Sequence, residues 1–346
     1  MVLAKNTMNT MDNKEIKNER QVRFFELIRK TLPSHINLVN EMSDFLGLSV
    51  DAAYRRIRGD KPIYFEEAIA LSRKYHLSMD AVAEVVTDKK QFSCEYAPID
   101  IGDLKNYLVF AQNFSASIES LRLASESEII FTAADIPVFN FLSYHELTFF
   151  ILFSWYKNTC GFPAGYEDFV KEMDINELKR CYEKIVRNYQ MIPSSEIWSQ
   201  NTVDSFLRLL GYHSEMKHFN DNKIPLFICE QLFDLINTLS NWTEKGTKGT
   251  ENTPFKFYVS EIDIGNTFII FKNAKSSKCL VRLYTINGLS ISDDHFCQET
   301  ERWLHNIARS AMLVSGASER ERFKFFENQR QKIRFLTEEI QSRPSQ

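Results

Sequence analysis

The chain has 346 residues, too many for one small domain and enough for two or three folding units. Apolar residues make up 44% of it and charged residues 25%, which is typical of a soluble globular protein and excludes a disordered chain. The net charge of −4 argues against a protein that coats nucleic acid through bulk positive charge. It does not exclude a reader of specific DNA, which needs only a local basic face.

The cysteines are scattered and form no closely spaced pair, so a zinc knuckle, a redox motif and a compact disulfide framework are unsupported. We expect buried free thiols, as in a protein of the reducing cytoplasm, and no metal or other cofactor. These cysteines are Cys94, Cys160, Cys181, Cys229, Cys279 and Cys297.

Two segments bear on localisation. Residues 1–20 are polar and lack the apolar stretch of a secretory signal. Residues 136–156 are about long enough to span a bilayer, but Asn140, His145 and Glu146 would lie near the middle, where such groups are costly. We therefore predict a buried helix there, a cytoplasmic chain and no membrane partner.

The chain begins with a predicted loose arm over residues 1–20. From residue 21 the pattern becomes helical, since Phe24, Phe25, Leu27 and Ile28 form an apolar stripe that Pro33 closes. Short helices are predicted through about residue 86. Residues 87–98 are charged and then turn-forming, which is typical of a linker.

Residues 38–59 have the pattern of two short helices joined by a tight turn. Gly47 permits the positive backbone angle of that turn, and Leu48 packs between the helices. Ser49 is a good N-cap for a second helix over residues 50–58, which ends at Gly59. The inner stripe of the first helix is predicted to be Leu38, Met42, Phe45 and Leu46.

The second helix of this pair separates long polar side chains from small apolar ones. Ala53 and Ile57 would face the core, while Asp51, Tyr54, Arg55 and Arg58 would point outward. A short helix with long donors on its outer side suits the major groove of DNA. Lys61 and free backbone amides around Gly59 would then meet phosphate oxygens.

Residues 47–59, followed by residues 64–76 and 77–80, resemble the Cro/repressor-like (XRE) helix-turn-helix family. The resemblance covers residues 21–86 and implies a five-helix DNA-binding domain. It implies base contacts from the start of the second helix and a phosphate contact near its end. With the residues singled out above, the candidate DNA-binding residues are Ser49, Val50, Asp51, Tyr54, Arg55, Arg58 and Lys61.

Two residues depart from the family pattern. Ser43 replaces a usual alanine, which is a mild change. Arg56 stands where the family buries an apolar residue, so either the helix is rotated or Arg56 extends its charge to the surface. The sequence of residues 49–62 also resembles that of long regulators from Bacteroidetes-type bacteria. The C-terminal region of those regulators has no assigned activity, so this resemblance implies no chemistry for residues 99–346.

Residues 99–346 are predicted to form a larger helix-rich α+β domain for regulation or dimerisation, and whether it is one domain or two is left open. The region 103–243 is mainly helical, with helices predicted over 103–123, 137–158, 175–192, 196–210 and 224–239 and a β-like run over 128–132. Aromatic and β-branched runs over 255–292 predict a small antiparallel sheet of three or four strands. Two helices follow over 294–314 and 318–340. The fold class is therefore mainly α.

The aromatic segment 131–156 has two interpretations. It is either a core or subunit interface, or an apolar ligand pocket lined by a few aromatic and polar groups. The pocket residues would be Phe139, Phe141, Tyr144, His145 and Trp155.

Other polar clusters carry less chemistry. His213 and His218 are five residues apart and would not share a helix face, which argues against a metal site. His145 and Glu146 with nearby Asp135 form either an acid/base group or pairs within the core. No nucleophile elbow, phosphate loop or dinucleotide-binding glycine motif is present, so we do not expect an enzyme.

The sequence therefore predicts a sequence-specific transcriptional regulator that binds double-stranded DNA as a homodimer. Its C-terminal domain would serve oligomerisation or the sensing of a small-molecule or protein effector. The alternative is a scaffold whose N-terminal bundle docks a protein instead of DNA. A peptide-sensing regulator with helical repeats is disfavoured by the missing repeat and by the strands after Phe255.

Overall fold

The computed structural model describes residues 12–33, 36–75, 94–96, 104–160, 165–284 and 287–343, together with residues 77, 79, 82, 92, 98 and 99. The chain divides into two compact units, Met1–Ser93 (unit 1) and Cys94–Gln346 (unit 2). Residues 94–346 thus form one unit rather than two.

Unit 1 is a helical bundle in its described part. Its helices are α1 (Asp12–Thr31), α2 (Leu38–Leu46), α3 (Val50–Ile57) and α4 (Phe65–Lys74). Helix α1 begins within the segment predicted to be a loose arm, whose first eleven residues lie outside the described part. The fifth helix implied after residue 76 also lies largely outside the described residues.

The turn between α2 and α3 has the geometry expected from its sequence. Gly47 adopts a left-handed conformation with φ of 63°, and the Ser49 hydroxyl oxygen accepts a hydrogen bond from the amide of Ala52 at 3.2 Å. Ser43 is buried and donates its hydroxyl proton to the carbonyl of Leu48 at 2.6 Å. Ser43 therefore stabilises the turn between α2 and α3.

The prediction for Phe45 was wrong. Its side chain is 38% exposed instead of belonging to the inner stripe, and the ammonium of Lys74 lies 4.2 Å from its ring centroid. The core of so small a bundle admits only a narrow stripe of each helix, and Leu38 and Met42 fill that of α2.

Unit 2 combines nine helices and nine strands in its described part. The helices are α5 (Leu104–Leu123), α6 (Val138–Phe141), α7 (His145–Cys160), α8 (Tyr166–Lys171), α9 (Ile175–Gln190), α10 (Asp204–Glu215), α11 (Lys223–Lys245), α12 (Asp294–Ser310) and α13 (Glu319–Ser342). The strands are β1 (Cys94–Tyr96), β2 (Glu128–Ala133), β3 (Ser194–Ser199), β4 (Thr247–Lys248), β5 (Thr253–Ser260), β6 (Phe268–Lys272), β7 (Ser277–Tyr284), β8 (Asn287–Ile291) and β9 (Met312–Leu313).

The sheet is mixed, with strand order β1-β8-β7-β6-β2-β3-β5-β4 and β9 paired to β5. Strands β2, β3 and β5 run parallel, and the other pairs are antiparallel. One face of β2 and β6 packs against α12, and the other packs against the helices that precede β5. A parallel sheet needs long helical crossovers of this kind.

The prediction of a small antiparallel sheet was therefore wrong in size and type. Strands β5–β8 agree with the predicted runs, but β3 falls where a helix was predicted from residue 196. Strand β3 is buried on both faces, so its side chains show no alternation that would mark a strand. Residues 94–96, predicted as linker, form β1 and pair with β8.

Most other helices agree with their predictions. The predicted helix over residues 137–158 is an exception, because it is divided into α6 and α7. The Thr148 hydroxyl contacts the carbonyl oxygens of Phe141 and Tyr144 across this break, at 2.8 and 2.9 Å. Among the described residues, no helix combines the length and apolarity that crossing a membrane requires.

Candidate functional site

Helix α3 presents the predicted DNA-binding side chains to solvent. Val50 is 56% exposed and Tyr54 is 47% exposed, whereas Ala53 and Ile57 are buried in the core of unit 1. The remaining candidates are also exposed; they are Ser49, Asp51, Arg55, Arg58 and Lys61. The outer and inner faces of α3 are therefore divided as the sequence predicts.

Tyr54 and Arg58 pack against each other on the outer face. The Arg58 guanidinium lies 5.7 Å from the Tyr54 ring centroid, and its Nε lies 3.7 Å from the Asp60 carboxylate. Exposed ion pairs of this length hold a side chain only weakly, so Asp60 leaves Arg58 able to exchange partners. The ring contact restricts the guanidinium without neutralising it.

Arg56 has a packing role, which neither sequence interpretation anticipated. Its guanidinium lies 3.3 Å from the Glu67 carboxylate of α4 and 5.5 Å from the Tyr64 ring centroid, and its side chain is only 13% exposed. Helix α3 is not rotated, because Ala53 and Ile57 remain inside. The charge of Arg56 is paired between α3 and α4.

The expectation of free amides around Gly59 was wrong. The amide of Gly59 donates to the carbonyl of Arg56, and the amides of Asp60 and Lys61 both donate to that of Arg55. These bonds close the end of α3, since a helix end must satisfy its own backbone groups. Contacts to phosphate from this turn would have to come from side chains.

Unit 2 contains a large cavity that is partly open to solvent, with a volume of about 900 Å³. One wall is the side of α5 that carries Phe110 and Phe114, whose rings are stacked 6.0 Å apart. The opposite wall is the sheet, through Phe131 of β2, Ile269 of β6 and Leu280 of β7. The cavity therefore lies between a helix layer and the sheet, and its long walls are aromatic and aliphatic.

Of the predicted pocket residues, only Phe141 and Trp155 line this cavity. Phe139 is buried beside it, with its ring stacked 4.4 Å from that of Tyr189. Tyr144 shares a hydrogen bond with Thr238 at 3.0 Å. His145 lies at the start of α7 against Phe149, and burial lowers its pKa.

The pocket predicted from the sequence does not include the cavity walls that α5, β6 and β7 supply. The signal on α5 was legible as a helical stripe, and its members are Tyr107, Phe110, Ala111, Phe114, Ile118 and Leu121. The strands gave no such signal, because only the pairing of β6 with β7 and β2 brings them opposite α5.

Apart from the cavity, unit 2 contains a buried polar cluster between β3 and the helices α6 and α9. The Glu196 carboxylate accepts hydrogen bonds from the Tyr189 hydroxyl, from Trp198 Nε1 at 2.8 Å and from Asn140 Nδ2 at 2.9 Å. The Lys248 ammonium donates to Ser194 Oγ and lies 3.2 Å from the Tyr189 ring centroid. Burial raises the pKa of Glu196 and lowers that of Lys248 well below its usual value.

The histidines do meet, contrary to the spacing argument. Helix α10 ends at Glu215, and the following turn brings His218 Nδ1 to 2.8 Å from His213 Nδ1. The two nitrogens share a proton at this distance, which is a hydrogen bond rather than a metal pair. Among the residues that the structure describes, no three histidine, cysteine or carboxylate side chains are grouped as metal ligands.

The other acid/base candidates pair within the protein. Asp135 contacts the Arg282 guanidinium at 2.6 Å, and Glu146 accepts a hydrogen bond from the Tyr166 hydroxyl at 2.7 Å. Both carboxylates therefore have structural partners within unit 2.

Comparisons with protein-family models, with curated proteins and with solved structures found no match to this chain. The functional argument accordingly rests on the residues and on their geometry.

Proposed function

We propose that this protein is a sequence-specific transcriptional regulator of the Cro/repressor-like helix-turn-helix class, which binds double-stranded DNA through α3. The observation that carries the proposal is the division of α3. Arg55 of α3 and Arg58 directly after it are exposed, whereas the apolar residues Ala53 and Ile57 of the same helix face the core. Packing alone has no need of exposed arginines, and a narrow helix with long donors is what the major groove admits.

The protein would act as a homodimer in the cytoplasm. One helix of eight residues contacts only a few base pairs, and regulators of this kind pair on two half-sites one DNA turn apart. Unit 2 would supply oligomerisation, sensing of an effector, or both. An effector that binds one dimer geometry better than another would change DNA affinity.

The test is fluorescence anisotropy of the full chain with DNA from upstream of its own gene. The double variant Arg55→Ala/Arg58→Ala is compared with Arg29→Ala/Arg73→Ala, which removes two exposed arginines from α1 and α4. We expect the first variant to lose sequence-selective binding and the second to keep it. If both arginines meet phosphates or bases, the slope of log affinity against log salt falls by about two in the first variant.

The proposal is refuted if folded wild type binds no DNA at low salt, or if the two double variants lose affinity equally. The second result would mean that the net charge of unit 1, and not α3, attracts DNA.

One observation favours a second candidate, a scaffold that docks a protein. Val50 and Tyr54 of α3 and Tyr64 and Phe65 near the start of α4 are exposed apolar side chains on unit 1. Tyrosine and phenylalanine are enriched at protein interfaces. A protein complex through these groups would depend weakly on salt and would be weakened by Tyr64→Ser/Phe65→Ser, whereas DNA binding depends steeply on salt.

A further inference from the structure

The cavity of unit 2 has the size of a ligand site rather than of a packing defect. Its volume of about 900 Å³ falls within the range of small-molecule sites, about 300–1,000 Å³, whereas close packing leaves few voids larger than water. We propose that it binds an uncharged amphipathic molecule, with an apolar body under α5 and one hydrogen-bonding oxygen at Thr267. This names a ligand class for the sensing role of unit 2 and stands whether or not unit 1 binds DNA.

The middle of the cavity selects the apolar body. Ile269 and Leu280 are cross-strand partners on β6 and β7, and Phe131 pairs with Ile269 from β2. Phe110 and Phe114 of α5 also line this part. None of these side chains forms hydrogen bonds, and water in a cavity needs two to four polar partners. Hydrocarbon is therefore the better occupant of this space.

One end of the cavity offers a hydrogen-bonding group without a partner. Thr267 is 2% exposed, and its hydroxyl has no hydrogen-bond partner among the described residues. It lines the cavity one strand away from Arg282, whose amide donates to the Thr267 carbonyl. A buried hydroxyl left unsatisfied costs free energy, and the Thr267 oxygen is covered in the empty cavity. A ligand oxygen therefore gains this hydrogen bond once the Thr267 side chain turns toward the cavity.

The charges that line the cavity are balanced before any ligand enters. Arg282 Nη1 contacts both carboxylate oxygens of Asp135, at 2.6 and 2.8 Å. At the other end of the same strand, the Lys278 ammonium lies 3.3 Å from the Glu95 carboxylate. A ligand with a carboxylate or ammonium head would add one uncompensated charge beside the partly buried Asp135–Arg282 pair. The balance therefore selects an uncharged head, such as a hydroxyl or a carbonyl.

The experiment uses the full chain without DNA and measures displacement of the uncharged dye N-phenylnaphthylamine. Decanol is the uncharged probe and decanoate its charged counterpart of equal chain length. We expect decanol to displace the dye and decanoate to bind about tenfold more weakly or worse. Asp135→Asn removes one anion beside Arg282, so this variant should bind decanoate better than wild type does.

Matched variants test the polar end. Thr267→Val keeps the shape of the side chain but removes the hydroxyl, and should weaken decanol binding by about five- to tenfold. Thr267→Ser keeps the hydroxyl and should bind decanol within about twofold of wild type. Leu280→Trp adds volume inside the cavity and should prevent binding of both the dye and decanol.

Three results would overturn the proposal: no displacement of the dye by decanol in folded wild type, tighter binding of decanoate than of decanol, or equal decanol affinity in Thr267→Val and Thr267→Ser. If Leu280→Trp fails to fold by circular dichroism, the Thr267 pair still decides. Because the assay contains no DNA, its failure leaves the test of α3 untouched, and failure of that test leaves this one untouched.

Discussion

Replacing Glu196 by glutamine tests the charge state of the buried cluster in unit 2. The carboxylate accepts hydrogen bonds from Tyr189, Trp198 and Asn140. Three donors around one carboxyl group favour the ionised form, whereas burial favours the neutral form and raises the pKa of Glu196. Glu196→Gln keeps the size of the side chain but replaces one acceptor oxygen by an NH₂ donor. It also removes the negative charge that balances the buried ammonium of Lys248.

The expected loss of unfolding free energy is about 3–5 kcal/mol. Hydrogen bonds to a charged group contribute about 1.5–3 kcal/mol each and neutral ones about 1 kcal/mol, so two weakened bonds cost about 2 kcal/mol. Removing one member of a buried charge pair adds to this, and measured losses for such changes are about 3–5 kcal/mol. For a unit of this size the midpoint temperature should fall on the order of 10 °C by calorimetry.

A control and a double variant separate this explanation from general damage. Glu261→Gln changes an exposed glutamate just after β5 and should alter stability by no more than about 0.5 kcal/mol. Glu196→Gln/Lys248→Met removes both charges and should be more stable than Glu196→Gln alone. A loss below about 1 kcal/mol for Glu196→Gln would refute the reasoning, because it would mean that Glu196 is already protonated.

Three further predictions concern single positions. Burial lowers the pKa of His213 to about 4, while histidine in the unfolded chain titrates near 6.5. Between these pH values the unfolded state binds more protons, so the free energy of unfolding falls as the pH is lowered from about 6.5 toward 4. His213→Phe should reduce this pH dependence of stability, measured by urea unfolding, and an unchanged dependence would contradict the assignment to His213. In Gly47→Ala the added methyl group meets no atom within 4 Å, so the expected loss of about 1–2 kcal/mol in unfolding free energy should come from the positive φ alone. Gly265→Ala is equally uncrowded but has no positive φ, and should lose less unfolding free energy. Equal losses in the two variants would exclude backbone strain at Gly47. Ser49→Ala removes the cap on the Ala52 amide and should cost unit 1 about 1 kcal/mol in thermal unfolding, Ser49→Asp should retain stability, and equal stability of the two variants would exclude capping.

The sequence predicts best those features whose causes are local. The turn at Gly47, the cap at Ser49 and the two faces of α3 depend on residues within one helical turn of each other, so their pattern can be read directly. Arg56 could not be placed in this way, because its partner Glu67 belongs to the next helix. A charged residue on the inner side of a helix does not reveal whether it is paired.

The interior of unit 2 depends on contacts that the sequence does not display. The sequence predicts a helix from residue 196, within β3, because burial on both faces removes the alternation of a surface strand. The polar residues Ser194 and Glu196 of β3 find their partners on α9 and β4 only after the sheet has formed. For the same reason the sequence predicts a pocket within the aromatic segment 131–156 alone, whereas the cavity walls come from elements more than 150 residues apart.

If unit 1 binds DNA and the cavity binds decanol, thermodynamic linkage relates the two events. Whatever factor saturating decanol applies to DNA affinity, saturating DNA must apply to decanol affinity. Measuring both affinities in wild type and in Thr267→Val therefore separates a sensor from a cavity that only fills space. For a sensor, the two factors differ from one, agree with each other, and persist in Thr267→Val at higher decanol concentration. Factors of one in both directions would refute sensing through the cavity while leaving each binding event intact, since a ligand with equal affinity for two states shifts nothing.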